Sequence, residues 1–114
     1  MQRLVEIRSY QLKPGAAAAF HEAFRARAVP LLHAWGTDVV AHGASPHAAD
    51  AYFLVRSYTD LADRTARQDA FYGSDAWRLG PRQSILALIE HFLDTLLWLS
   101  PAAIDDLRRA NAAG

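Results

Sequence analysis

From Leu4 to Leu12 apolar and polar side chains alternate, with Val5 and Ile7 on one face and Glu6, Arg8 and Tyr10 on the other. That period of two is the signature of a half-buried strand. Pro14-Gly15 breaks it, and a proline near a helix start is tolerated because its missing N–H would be unpaired there, so a helix follows at once. Between Ala16 and Trp35 the residues Phe20, Phe24, Ala28, Leu31 and Trp35 recur every three or four positions and share one helical face. Pro30 removes one backbone hydrogen bond and kinks the last turn, and Gly36 is a natural stop. Residues 38–45 are β-prone, with Gly43 marking a bulge or a close backbone approach. A turn over 45–50 joins them to a second β-rich run, Tyr52–Tyr58, as a hairpin.

Thr59-Asp60 is an N-cap signal for a second helix over Leu61–Phe71, which Gly73 ends. Residues 74–79, carrying Trp77 on a short turn before Gly80-Pro81, form a lid candidate. A short helix to Ala87 precedes Ile89–Leu99, which is apolar on both sides, with Phe92, Leu96 and Trp98 on one face and Leu93, Thr95 and Leu97 on the other. A strand of that kind must be covered on both sides. Residues 101–114, with Ile104 and Leu107 three apart, read as a short terminal helix or a tail beyond a domain spanning 1–100.

The order strand-helix-strand-strand-helix-strand predicts an α+β fold, a ferredoxin-like βαββαβ sandwich whose four-stranded antiparallel sheet carries its helices on one face. Two helices leave the other face open. If Val5 and Ile7 face the helices, Glu6, Arg8 and Tyr10 lie on the open face with one side of the last strand, a mixture too apolar for solvent. Two such sheets placed face to face close into a dimeric α/β barrel with a lined cavity, so a homodimer is predicted, with interface and candidate site on one surface.

Composition narrows the function classes. Twelve basic residues balance twelve acidic ones, so there is no net positive field to hold nucleic acid or an anionic membrane surface, and neither is expected as a partner. Without cysteine there is no disulfide, thiolate nucleophile or zinc-thiolate site, and a cytoplasmic location is the default expectation. The start of the chain alternates charged and apolar residues, unlike a signal peptide, and no apolar run approaches the ~20 residues that span a bilayer.

Three motifs occur in order. Val5-Glu6-Ile7-Arg8-Ser9-Tyr10-Gln11-Leu12-Lys13-Pro14-Gly15 is similar to a Glu-x-Arg-x-Tyr strand running into Lys-Pro-Gly; Tyr58-Thr59-Asp60-Leu61-Ala62-Asp63-Arg64 resembles an aromatic, Asp-Leu, Arg entry to a helix; Phe71-Tyr72-Gly73-Ser74-Asp75-Ala76-Trp77 looks like a Ser-x-x-Trp turn. Together they resemble the NIPSNAP family of the dimeric α/β-barrel superfamily, over residues 4 to about 99. The hairpin from Ala41 to Ala51 departs from the family pattern. The resemblance implies the ferredoxin-like fold and dimerisation. It brings no agreed reaction, since superfamily relatives include cofactor-free monooxygenases, haem-degrading enzymes, isomerases and proteins that only bind.

Candidate chemistry lies on the strands. Glu6, Arg8 and Tyr10 set a carboxylate, a fork-shaped cation and a phenol along one face, able to orient a polar ligand; the alternative is an ion-pair network that includes Arg56. Of five histidines none has a metal-ligand spacing. His21 and His33 read as helix-surface residues and His47 as a loop residue, leaving His42 and His91 as catalytic candidates, each with a packed or hydrogen-bonded structural role as the alternative. Tyr52, Tyr58, Phe71, Tyr72 and Trp77 offer an aromatic wall, with Trp77 the strongest ligand contact. Glu90 and Asp94 share a strand face without an evident partner. The expected ligand is a small apolar or aromatic molecule, taken without metal or cofactor, by a cofactor-free monooxygenase or isomerase. Haem on a strand histidine is a lesser alternative, and a non-enzymatic dimeric interaction module is the second reading.

Overall fold

In the computed structural model, which describes residues 1–112, the strands β1 (Arg3–Leu12), β2 (Asp38–Ala44), β3 (Ala51–Tyr58) and β4 (Ile89–Leu99) form one antiparallel sheet in the order β2-β3-β1-β4. Helices α1 (Ala17–Ala23) and α2 (Val29–Ala34) connect β1 to β2, and α3 (Leu61–Tyr72), α4 (Asp75–Arg78) and α5 (Arg82–Leu86) connect β3 to β4. Both connections pack on the same side, where Phe20, Phe24, Phe71, Trp77 and Ile85 join Tyr10, Tyr52 and Leu54 in one core. This is the expected ferredoxin-like sandwich. A last helix, α6 (Pro101–Ala110), packs Ile104 on the opposite side against Val5, Val40, Ala41 and Val55. No helix among the described residues is long and apolar enough to cross a membrane.

The expected orientation of the sheet is reversed. Glu6, Arg8 and Tyr10 lie under the helices with Leu12, whereas Val5 and Ile7 face α6 and the open side. The cause lies in α3, which turns Arg64, Gln68 and Tyr72, four residues apart, down onto β1, so a polar stripe on the strand meets a polar stripe on the helix. The candidate site therefore does not lie on the open face of the sheet.

The first helical run also differs from its expected form. Phe20, Phe24, Ala28 and Leu32 are the inward residues, while Leu31 is half-buried and Trp35 is exposed. A spacing of four drifts by ~40° per step around an α-helix of 3.6 residues per turn. A π-helical turn over Phe24–Ala28, with the Val29 N–H donating to the Phe24 carbonyl, absorbs that drift just ahead of Pro30. Gly36, in the left-handed region, closes the run as expected. The irregularity in β2 lies between Val39 and Ala41, not at Gly43, and it puts Val40 and Ala41 both on the α6 side.

β4 is an edge strand eleven residues long. Leu93 is 72% exposed and Trp98 51%, so the covering expected on both sides is absent within one chain. Long, apolar, uncovered edges invite pairing.

Candidate functional site

Glu6 is the centre of a buried polar network. Its Oε1 accepts from Arg56 Nε at 2.9 Å and from Arg56 Nη2; its Oε2 accepts from Arg64 Nε at 2.6 Å and Gln68 Nε2 at 2.7 Å. Glu6 and Arg56 are both fully buried and sit opposite each other across β1 and β3. One strand over, Asp94 on β4 takes the Arg8 guanidinium in two bonds, Nε to Oδ1 at 2.7 Å and Nη2 to Oδ2 at 3.1 Å, the fork geometry that suits a carboxylate. The Tyr72 hydroxyl joins the two halves, accepting from Arg56 Nη1 at 2.9 Å and Arg8 Nη1 at 3.3 Å. Burial alone would raise the Glu6 carboxyl, but Arg56 and Arg8 beside it, with the Gln68 hydrogen bond, hold it below its ordinary range. Burial of Arg8 works against its charge, and the Asp94 hydrogen bond together with Tyr72, Tyr10 and Glu6 outweighs that and raises it. Among the described residues no buried side-chain nitrogen or oxygen lacks a partner.

Beside this network a narrow cleft opens between the sheet and α2, α3, α4 and α5. Its walls are aromatic and aliphatic. Phe24 and Ala28 come from the π-helical turn, Phe71 and Trp77 from α3 and α4, and Phe92 from β4. Arg8 and Tyr72 are its polar end, and the Arg8 guanidinium lies 4.2 Å from the Phe92 ring centroid, a cation–π contact. Trp77 is buried against Phe71 and Tyr72, held by a Ser74 cap on α4, so the lid candidate 74–79 is a fixed piece of wall. Tyr10 lines the same cleft, packed against Phe20 and Phe24. Burial pushes its phenol well above the usual range, with Tyr72 adding to the shift, so it is a neutral hydroxyl.

The structure thus brings together Glu6, Arg8, Tyr10, Arg56 and Trp77, and leaves the histidines elsewhere. His42 does not line the cleft: its Nδ1 lies 2.9 Å from the Tyr52 hydroxyl, whose other side is 2.7 Å from Nδ1 of His21. One hydroxyl proton serves one of these bonds, so the other imidazole must donate to the oxygen. His21 is exposed, as its helix-surface placement implies, yet it belongs to this chain of polar groups. Burial lowers the His42 imidazole, and His21 and His33 add to the effect. His91 is exposed on β4 opposite Gln11, on the open side of the sheet, and His47 sits in the hairpin loop bonded to Ser45. Among the described residues no group of three or more potential ligands is placed to hold a metal ion.

Three participants escaped the reading from sequence, Arg64, Gln68 and the polar role of Tyr72, and Asp94 was read there without its partner Arg8. Arg64, Gln68 and Tyr72 stand at i, i+4 and i+8, a stripe that would have marked the inward face of α3 had polar residues been allowed there. Asp94 is the cross-strand neighbour of Arg8, a register that is set by tertiary structure.

Comparison with known proteins agrees with the fold. A NIPSNAP protein from Burkholderia xenovorans superposes with a TM-score of 0.77 at 16% identity, covering 86% of this chain and 95% of that one. A NIPSNAP family protein of unknown function from Agrobacterium tumefaciens gives 0.79 at 20% identity, over 86% and 88%. A Nitrosomonas europaea protein named for antibiotic biosynthesis monooxygenases gives 0.60 at 19% identity, over 82% and 95%. No functionally curated protein matches in sequence. Residues 5–101 match the NIPSNAP family model, and the chain belongs to that family.

Proposed function

We propose that this protein binds a small apolar or aromatic molecule in the cleft between the sheet and α3–α5, and that it works as a homodimer paired through the open side of the sheet and β4. The observation that carries the first part is the lining: Phe24, Phe71, Tyr72, Trp77 and Phe92 around one polar end made by Arg8 and Tyr72. An enclosed apolar wall with few convergent polar groups is the usual form of a small-molecule site. The lining holds no histidine or carboxylate, so it favours holding a ligand over abstracting its proton. Of the two reactions expected, cofactor-free oxygenation is kept ahead of isomerisation only on the name of the Nitrosomonas europaea neighbour, and it would need a substrate that arrives already ionised to supply the electrons to dioxygen. The second part rests on β4, whose exposed Leu93 and Trp98 need cover.

Trp77 supplies the test of binding. In a Trp35→Phe, Trp98→Phe background its emission should be quenched by flat aromatic compounds, neutral or charged, and native mass spectrometry of the purified protein should show a retained small molecule. An unquenched Trp77 across such a panel, with no retained mass, would sink the reading. Sedimentation velocity at micromolar concentration should show a dimer, and a monomer there would remove the pairing.

A further inference from the structure

Within the proposed cleft, the polar end has a sign. Arg8, Arg56 and Arg64 meet two carboxylates, Glu6 and Asp94, so three cations face two anions and one positive charge is left unmatched beside the aromatic wall. The hydrogen bonds point the same way. Both lone pairs of the Tyr72 oxygen are taken up by Arg56 and Arg8, which leaves that hydroxyl only its proton to offer. Arg8 has five N–H groups and uses three, two on Asp94 and one on Tyr72. What lies at the end of the cleft is a set of donors that asks for an acceptor.

The mouth continues the pattern. Arg82 shares the outer wall with Arg8, Gln68, Tyr72 and Trp77, and Arg78 flanks Tyr72 on the neighbouring surface. No carboxylate lines either part. Clefts with low-dielectric walls focus such charge and draw in ligands of the opposite sign.

We propose that the cleft takes a monoanion, a carboxylate carried on a flat apolar or aromatic body, with its oxygens on the free donors of Arg8 and Tyr72 and its body against Trp77, Phe71 and Phe92. This rests on the binding function proposed above and adds the charge of the ligand to it. A single negative charge balances the single excess cation, whereas a dianion such as a phosphate monoester would overshoot it and compete with Asp94 for Arg8. Hydrogen bonds to charged groups contribute roughly 1.5–3 kcal/mol each, so the carboxylate should be felt as at least a tenfold gain.

Calorimetric titration of the intact protein with 2-naphthoate and with its neutral analogue 2-acetonaphthone separates the possibilities. The naphthoate should bind at least tenfold more tightly, with an affinity that falls as salt rises. Tyr72→Phe should remove about tenfold from the naphthoate affinity and clearly less from that of the ketone, whose neutral carbonyl accepts a weaker bond. Should that variant melt early, Arg82→Gln, an exposed position, should weaken the naphthoate alone and flatten its salt dependence. Equal affinities for the two probes, or a preference for the ketone, would overturn the anion and leave the cleft standing as an apolar site. Binding of neither would overturn the anion together with the binding function beneath it.

Discussion

The inner face of β1 carries Glu6, Arg8 and Tyr10 beneath α3, while its outer face carries Val5 and Ile7 beneath little more than α6. Charge is buried on the first side and apolar surface is left showing on the second, most plainly at Leu93. The difference teaches that alternation along a strand reports two faces without saying which is covered. Coverage depends on the facing element, and a helix bearing Arg64, Gln68 and Tyr72 can cover a charged face when every group finds a partner. The same contrast separates roles. A buried ion-pair network fixes the relation of sheet to helix, whereas an apolar edge is suited to pairing.

The largest expected effect comes from opening the inner network. Glu6→Gln leaves Arg56 and Arg64 facing one another without their shared carboxylate, and breaking a buried pair in this way costs about 3–5 kcal/mol, a large share of a small domain's stability. Urea unfolding should show an unfolding free energy lower by that amount, as an earlier midpoint at an unchanged slope. An unfolding free energy within about 1 kcal/mol of the parent's would mean that the network is dispensable. Acid should act through the same group. The Glu6 and Asp38 carboxyls lie below their ordinary ranges in the folded chain, so their contribution is present above the unfolded pKa, ~4, and is lost as pH falls through the folded values. Melting temperature should hold steady above about pH 5, decline below it, and decline less in Glu6→Gln than in the parent.

A smaller effect is expected at the His21–Tyr52–His42 chain. Tyr52→Phe removes two hydrogen bonds at a buried position and should cost roughly 1–3 kcal/mol, without changing ligand affinity because Tyr52 does not line the cleft. Thermal unfolding and naphthoate titration read the two parts separately, and a weakened ligand would tie the histidines to the site.

Much of the architecture is legible in the sequence. The four strands fall where alternation and β-rich runs put them, Asp60 caps α3 by accepting from the Asp63 N–H, and Gly36 ends α2, because these are local signals. Glu6, Arg8, Arg56 and Tyr10 were legible as a group for the same reason, since they share strand faces. Three things were not. The π-helical turn hides in a spacing of three or four that also suits an α-helix, so Leu31 and Trp35 stood where Leu32 belongs. The covered side of the sheet depends on α3, whose inward stripe is polar. Asp94 meets Arg8 only through a register that joins the first strand to the last.

The smallest expected effect on the cleft, and the most direct test of two separate faces, is Leu93→Asp. This side chain is 72% exposed on the open side, away from Arg8 and Tyr72, so the fold of one chain should change by no more than about 0.5 kcal/mol. Sedimentation velocity and 2-naphthoate titration are then run on the same sample. A monomer that binds naphthoate as tightly as the parent is the expected result. A monomer that has lost the ligand would place the site at the interface and contradict the separation of the two faces.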